Sequence, residues 1–87
     1  MGRKSRERPE RLAEKLLQIR EALGLSQTEM LRRLGKEKSG HRNFISDYEN
    51  GKRLPSLLEL LAYARAAGVS MEVLVDDDLN LPRKFRA

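Results

Sequence analysis

Apolar residues recur along the chain at helical spacing, broken by glycines, prolines and polar turns. Leu12, Leu16, Ile19 and Leu23 form one stripe, flanked by Ala13, Leu17 and Ala22, and Gly24 follows. This predicts an amphipathic helix of about four turns, with Pro9 suited to its first turn. Met30, Leu31 and Leu34 carry the next stripe. Ser26 and Glu29 stand at the spacing of a capping box, in which each side chain serves a backbone N–H of the other residue. Leu25 is placed as the hydrophobic staple before that box, and Gly35 marks the stop. After a polar turn, Phe44, Ile45 and Tyr48 form a third stripe, ended by Asn50-Gly51. Leu57, Leu58, Leu60, Leu61, Ala64 and Ala67 make a fourth helix apolar over a broad face, as expected of a central helix packed by several others. Gly68 closes it. Met71, Val73, Leu74 and Val75 belong to a last short helix, and Asp76 to Asp78 end the compact part. No repeat or low-complexity tract intervenes.

The expected fold class is therefore all-α, a compact bundle of five helices. Eighty-seven residues suffice for one domain with a small core. Residues 1–8 read as a basic arm, poorly ordered without a partner. Residues 9–78 form the helical domain. Residues 79–87 read either as a frayed tail or as an arm packed on the domain or on a second copy.

The third helix has chemistry on its polar side. Arg42, Asn43, Ser46 and Asp47 lie between its apolar positions, so an apolar back supports a front able to donate to and accept from base edges. Such a helix suits the DNA major groove. The same pattern also fits a plain helical hairpin whose polar residues are solvated. The intervening turn GKEKSG holds lysines that face either solvent or a phosphate backbone.

Charge sharpens this only in part. The net charge is +5 and the sequence pI is near 10.0, which suggests an anionic partner. Residues before Leu12 contribute a net +3, so the basic excess sits mainly in the arm. The absence of cysteine rules out disulfides and thiolate metal sites and is compatible with a reducing cytoplasm. No apolar run has the length of a membrane span, and no secretory leader follows the start. His41, the lone histidine, fits a capping role better than a ligand role. Asp76 to Asp78 read as a solvated acidic run, with a metal site as the lesser alternative. No cysteine nucleophile, phosphate-cradling glycine loop or Ser/His/Asp arrangement supports an enzyme, and no cofactor is implied.

Three stretches in register carry a resemblance: LLQIREALGLSQTEM, then ISDYENGKRLPS, then LLELLAYARAAGVSMEVL. Together, from about Leu12 to Val75, they resemble the Cro/repressor-like helix-turn-helix family, also called XRE-type. The resemblance implies a lambda-repressor-like DNA-binding domain with sequence-specific binding, usually that of a transcription regulator; the expected role is a repressor, and the composition places it in the cytoplasm. It implies binding of double-stranded DNA as a homodimer on a pseudopalindrome. Arg42, Asn43 and Asp47 match the family's base-facing positions, with Ser46 a neighbouring candidate. Gln27, Asn50, Lys52 and Arg53 match phosphate contacts. Asp47, a carboxylate near phosphates, serves either a cytosine amino group or the orientation of Arg42 or Arg53. Arg20 and Glu49 match a structural ion pair between the first and third helices. Val73, Leu79, Leu81 and Phe85 are candidate dimer contacts.

Two departures from the family pattern stand out. The turn is roughly four residues longer than is usual in a helix-turn-helix, with Lys36 to Ser39 as the insertion. Leu31 stands where the family keeps a small residue. A second functional class, an antitoxin-like protein-interaction module with secondary DNA binding, would use the tail or the fourth helix to hold a partner protein.

Overall fold

The computed structural model describes residues 9–35 and 43–83. It contains five helices: α1 (Leu12–Leu23), α2 (Gln27–Arg33), α3 (Phe44–Glu49), α4 (Leu57–Ala67) and α5 (Met71–Val75). No strand occurs among the described residues, and no helix there is long and apolar enough to cross a membrane. The expected all-α, five-helix architecture is the observed one. The inserted Lys36 to Ser39 and the basic arm lie outside the described residues.

The core forms where the five stripes meet. Leu16, Ile19, Met30, Ile45, Tyr63, Ala67 and Leu74 are fully enclosed. Leu31 joins this core, so the larger residue is accommodated between α2 and its neighbours. Helix α1 lies against α3, α4 and α5, and α2 packs on α3. The α2 start has the expected box: Ser26 Oγ accepts from Glu29 N at 3.1 Å, and Ser26 N donates to Glu29 Oε1 at 2.7 Å. These bonds to the ionised form hold the Glu29 carboxyl below its ordinary range. Ser56 and Glu59 repeat the device at α4.

Three features differ from the reading of the pattern. Helix α1 begins at Leu12 rather than near Pro9, and the chain leading into it is held from far along the sequence. Asp77 accepts from Glu10 N at 2.9 Å and from Arg11 N at 3.0 Å. The acidic run therefore satisfies helix-end donors instead of being merely solvated. Arg11 belongs to the same junction, with Nη1 donating to the Asp77 carbonyl at 2.8 Å and Nη2 to Asn80 Oδ1 at 2.8 Å. Its charge is thus tied into the fold. Finally, α4 is not covered on all its apolar face: Leu57 and Leu58 are 70% and 74% exposed. Leu60, Tyr63, Ala64 and Ala67 alone suffice to seat it on α1 and α5, leaving the other edge outside.

Candidate nucleic-acid interface

Helix α3 is short, and its orientation follows from two anchors. Ile45 and Tyr48 are buried, which turns Asn43, Ser46, Asp47 and Asn50 to the opposite side at the i, i+3, i+4, i+7 spacing of one face. Asn43 is the N-cap, exposed and without a side-chain capping bond. Ser46 and Asp47 are half-buried, and Asn50 is exposed. Asn50 Nδ2 donates to Ser46 Oγ at 3.2 Å, so the two hold each other along that face. Arg42, the first of the expected base contacts, and His41 lie outside the described residues.

The end of α3 places the cations. Gly51 takes a φ of +75°, a left-handed conformation that favours glycine. The chain thereby folds back so that Lys52 N and Arg53 N both donate to the Asp47 carbonyl, at 2.8 and 3.3 Å. Lys52 is exposed. Arg53 is exposed but guided. Its Nε lies 3.6 Å from Asp47 Oδ2, and its guanidinium sits 4.8 Å over the Phe44 ring. Phe44 is itself stacked on Tyr48, with centroids 6.0 Å apart and planes 7° apart. The Arg53 guanidinium is therefore held at the rim of the α3 face between Asp47 and Phe44. Of the two arginines that Asp47 was expected to orient, Arg53 is the one described beside it.

The back of α3 is tied to α1 and α2 through Glu49. Arg20 Nε donates to Glu49 Oε2 at 2.6 Å and Nη2 to Oε1 at 3.2 Å, a two-pronged pair. The side chains are only 17% and 5% exposed. Arg20 Nη1 donates in addition to the Leu25 carbonyl at 2.9 Å, so one guanidinium joins α1, the turn before α2 and α3. The hydrogen bond to Glu49 raises the Arg20 pKa further, so the guanidinium stays charged. Gln27 Nε2 also donates to Glu49 Oε1, at 3.1 Å. In the free protein this amide is thus turned toward Glu49, which the sequence pattern did not suggest.

A second anchor was also missed. The Tyr48 hydroxyl donates to Glu59 Oε1 at 2.5 Å, and the same oxygen accepts from Ser56 N at 2.9 Å. Burial and then the Glu59 carboxylate push the Tyr48 pKa up. The α4 capping glutamate is therefore also the lock on α3. Its Ser-x-x-Glu spacing was a usable signal for the cap; nothing in the spacing signalled the tyrosine.

The result is a polar face on a rigidly backed helix, with Lys52 and Arg53 at one end. Among the described residues no group of His, Asp or Glu is arranged to hold a metal ion. Such a face can offer hydrogen bonds to base edges and cations to phosphates.

Comparison with known proteins agrees with this geometry. Curated protein sequences give no match. A crystal structure of a hypothetical transcription factor, NHTF, from Neisseria is similar, with a TM-score of 0.62 and 26% sequence identity. The likeness covers 91% of this chain and 87% of that one. The family model described as helix-turn-helix matches residues 16–74, more than half the chain. The protein therefore belongs to the helix-turn-helix family of the XRE/Cro-repressor type, a DNA-binding family.

Proposed function

We propose that this protein is a sequence-specific transcription regulator, a repressor that binds a pseudopalindromic operator as a homodimer with α3 in the major groove. The observation that carries this reading is the outward face Asn43–Ser46–Asp47–Asn50, backed by buried Ile45 and Tyr48. Asn43 and Arg42 read bases, an amide suiting adenine and a guanidinium suiting guanine. Ser46 is a neighbouring base contact. Asn50, Lys52 and Arg53 hold phosphates. Asp47 acts chiefly by aiming Arg53, which also reduces its own repulsion from the backbone of the duplex. Gln27 serves a phosphate by leaving Glu49, which keeps Arg20 as its partner.

A single domain covers a short half-site, so affinity comes from two-fold pairing. Val73, Leu79 and Leu81 are the candidate contacts among the described residues, with Phe85 beyond them. Leu81 also packs on its own core, so it would support such an interface from beneath. The basic arm would add phosphate or minor-groove contacts, and the site of action would be the cytoplasm. One observation favours a second role, the holding of a partner protein in the manner of an antitoxin: the exposed Leu57 and Leu58 on α4.

The experiment is selection of duplexes from a random pool, followed by titration of variants on the selected site. Asn43→Ala is expected to weaken binding by about 1–3 kcal/mol and relax preference at one base pair. Arg53→Ala should weaken all duplexes alike and reduce the salt slope by about one. Unchanged binding of every duplex by both variants would refute the assignment.

A further inference from the structure

The α4 surface that its neighbours leave uncovered has a definite shape and charge. Leu58, Leu61, Ala62 and Arg65 follow one another at i, i+3, i+4 and i+7, the spacing of a single helix face. With Ala66 and Arg33 they line an open groove of about 440 Å³. Leu58 supplies the exposed apolar side chain, and Leu61 and Ala62 are half-buried beside it. Arg33, in the last turn of α2, and Arg65, in the last turn of α4, are both exposed. Neither forms an ion pair with a carboxylate among the described residues. None of the residues assigned above to DNA lines the groove.

An apolar floor with two guanidiniums that meet no carboxylate among the described residues selects its occupant by charge. A second copy of this chain would bring the same face, hence four arginines and no lining carboxylate, to one junction. A duplex would satisfy the arginines but leave Leu58 and Leu61 unfilled. An amphipathic segment with large apolar side chains along one face and carboxylates beside them satisfies both. We propose that this groove is a docking site for an acidic amphipathic helix of a partner protein. The proposal rests on the protein-interaction reading and gives it a place and a chemistry. DNA binding by α3 would continue alongside it.

The test uses the full chain as bait for a displayed library of random peptides about four helical turns long. A bait carrying Arg33→Glu and Arg65→Glu, and another carrying Leu58→Ser, serve for counter-selection. These side chains are exposed, so the variants should fold, and melting curves will verify that. The expected binders carry Leu- or Phe-type residues at i, i+3 or i+4 with interleaved Asp or Glu. They should lose at least about tenfold in affinity on either variant, while all three baits bind duplex alike. A peptide of the same composition in scrambled order should not bind. Groove-dependent binders that are neutral or basic would overturn the acidic assignment and leave the docking role. Binders indifferent to all three substitutions, or none at all, would overturn the docking role itself. A dimer that dissociates on Leu58→Ser would assign the face to a second copy instead. Loss of duplex binding by the groove variants would show that the face belongs to the DNA site.

Discussion

Helix α1 is fastened to the rest of the chain at two places by basic side chains, and the two fastenings are built differently. Toward its C-terminal end, Arg20 meets a carboxylate, Glu49, and fixes the back of α3. Toward its N-terminal end, Lys15 and Arg11 mainly meet backbone carbonyls. Lys15 is fully buried, and its Nζ donates to the carbonyls of Val73 at 2.8 Å and Asp76 at 2.9 Å. The Val73 carbonyl lies in the last turn of α5, and the carbonyl of the C-cap Asp76 also accepts from Leu79 N at 3.0 Å. Burial lowers the Lys15 pKa, with the neighbouring Arg11 acting in the same direction. The first fastening therefore sets where the recognition face points. The second closes the two ends of the domain on each other.

The difference predicts separable effects, the largest at Arg20. Arg20→Ala leaves Glu49 nearly enclosed without its cation, which should cost about 3–5 kcal/mol. It should also weaken operator binding beyond the loss of stability, since α3 loses its tie to α1. Replacing the pair together by Arg20→Met and Glu49→Leu should restore most of the stability, because the lone buried charge is gone. Urea melts and duplex titrations of the single and double variants measure both quantities. Equal costs for the two would mean that packing, and not charge compensation, dominates at this junction.

Lys15→Met comes next. The methylene stem is replaced in kind, but the α5 carbonyls lose a charged donor, at a cost of about 2–3 kcal/mol. Operator affinity of the folded protein should not change. A loss of affinity measured well below the melting temperature would show that this end also steers α3, and the comparison between the two fastenings would fail.

These two junctions also show what was readable in advance. The five stripes, the capping box of Ser26 and Glu29 and the polar face of α3 were visible because periodicity and spacing are properties of side chains along one element. The proximity of Arg20 and Glu49 came from matching a family pattern, not from spacing. The bonds of Lys15 and Arg11 left no such trace. Every residue carries a carbonyl, so a cation that caps α5 or the tail looks like any solvated cation. Asp77 was misread for the related reason that its partners are the N–H groups of Glu10 and Arg11. The exposure of Leu57 and Leu58 was equally hidden, since a broad apolar face does not say how much of it neighbours will cover.

A smaller effect isolates that cap. Asp77→Ala removes the acceptors at the start of α1 and should cost about 1 kcal/mol. Asp77→Asn, which retains one acceptor oxygen, should recover part of it. Thermal melts of the two variants give the order. No difference from the parent in either would mean that Arg11 alone holds the tail, through the carbonyls of Asp77 and Leu79 and through Asn80.

The smallest effect at neutral pH lies beside the Arg20 fastening, at Tyr63. Its ring is fully buried, and its hydroxyl has no hydrogen-bond partner among the described residues. Burial first, then the charge of Glu49, raises its pKa from the ordinary 10.0. In the unfolded chain the phenol ionises near pH 10.0 while the folded one keeps its proton. The folded state then binds more protons, so this group's contribution to stability falls as pH rises above that value. Tyr48 acts in the same sense and, being bonded to Glu59, persists when Tyr63 is changed. Tyr63→Phe should therefore melt within about 1 kcal/mol of the parent at neutral pH, since only an unpaired hydroxyl is removed. In alkali it should lose stability less steeply, as melts on either side of the ordinary phenol pKa of 10.0 would show. A cost at neutral pH matching that of Tyr48→Phe would mean that the hydroxyl is bonded, and Tyr63 would then join Arg20, Glu49 and Gln27 in one network.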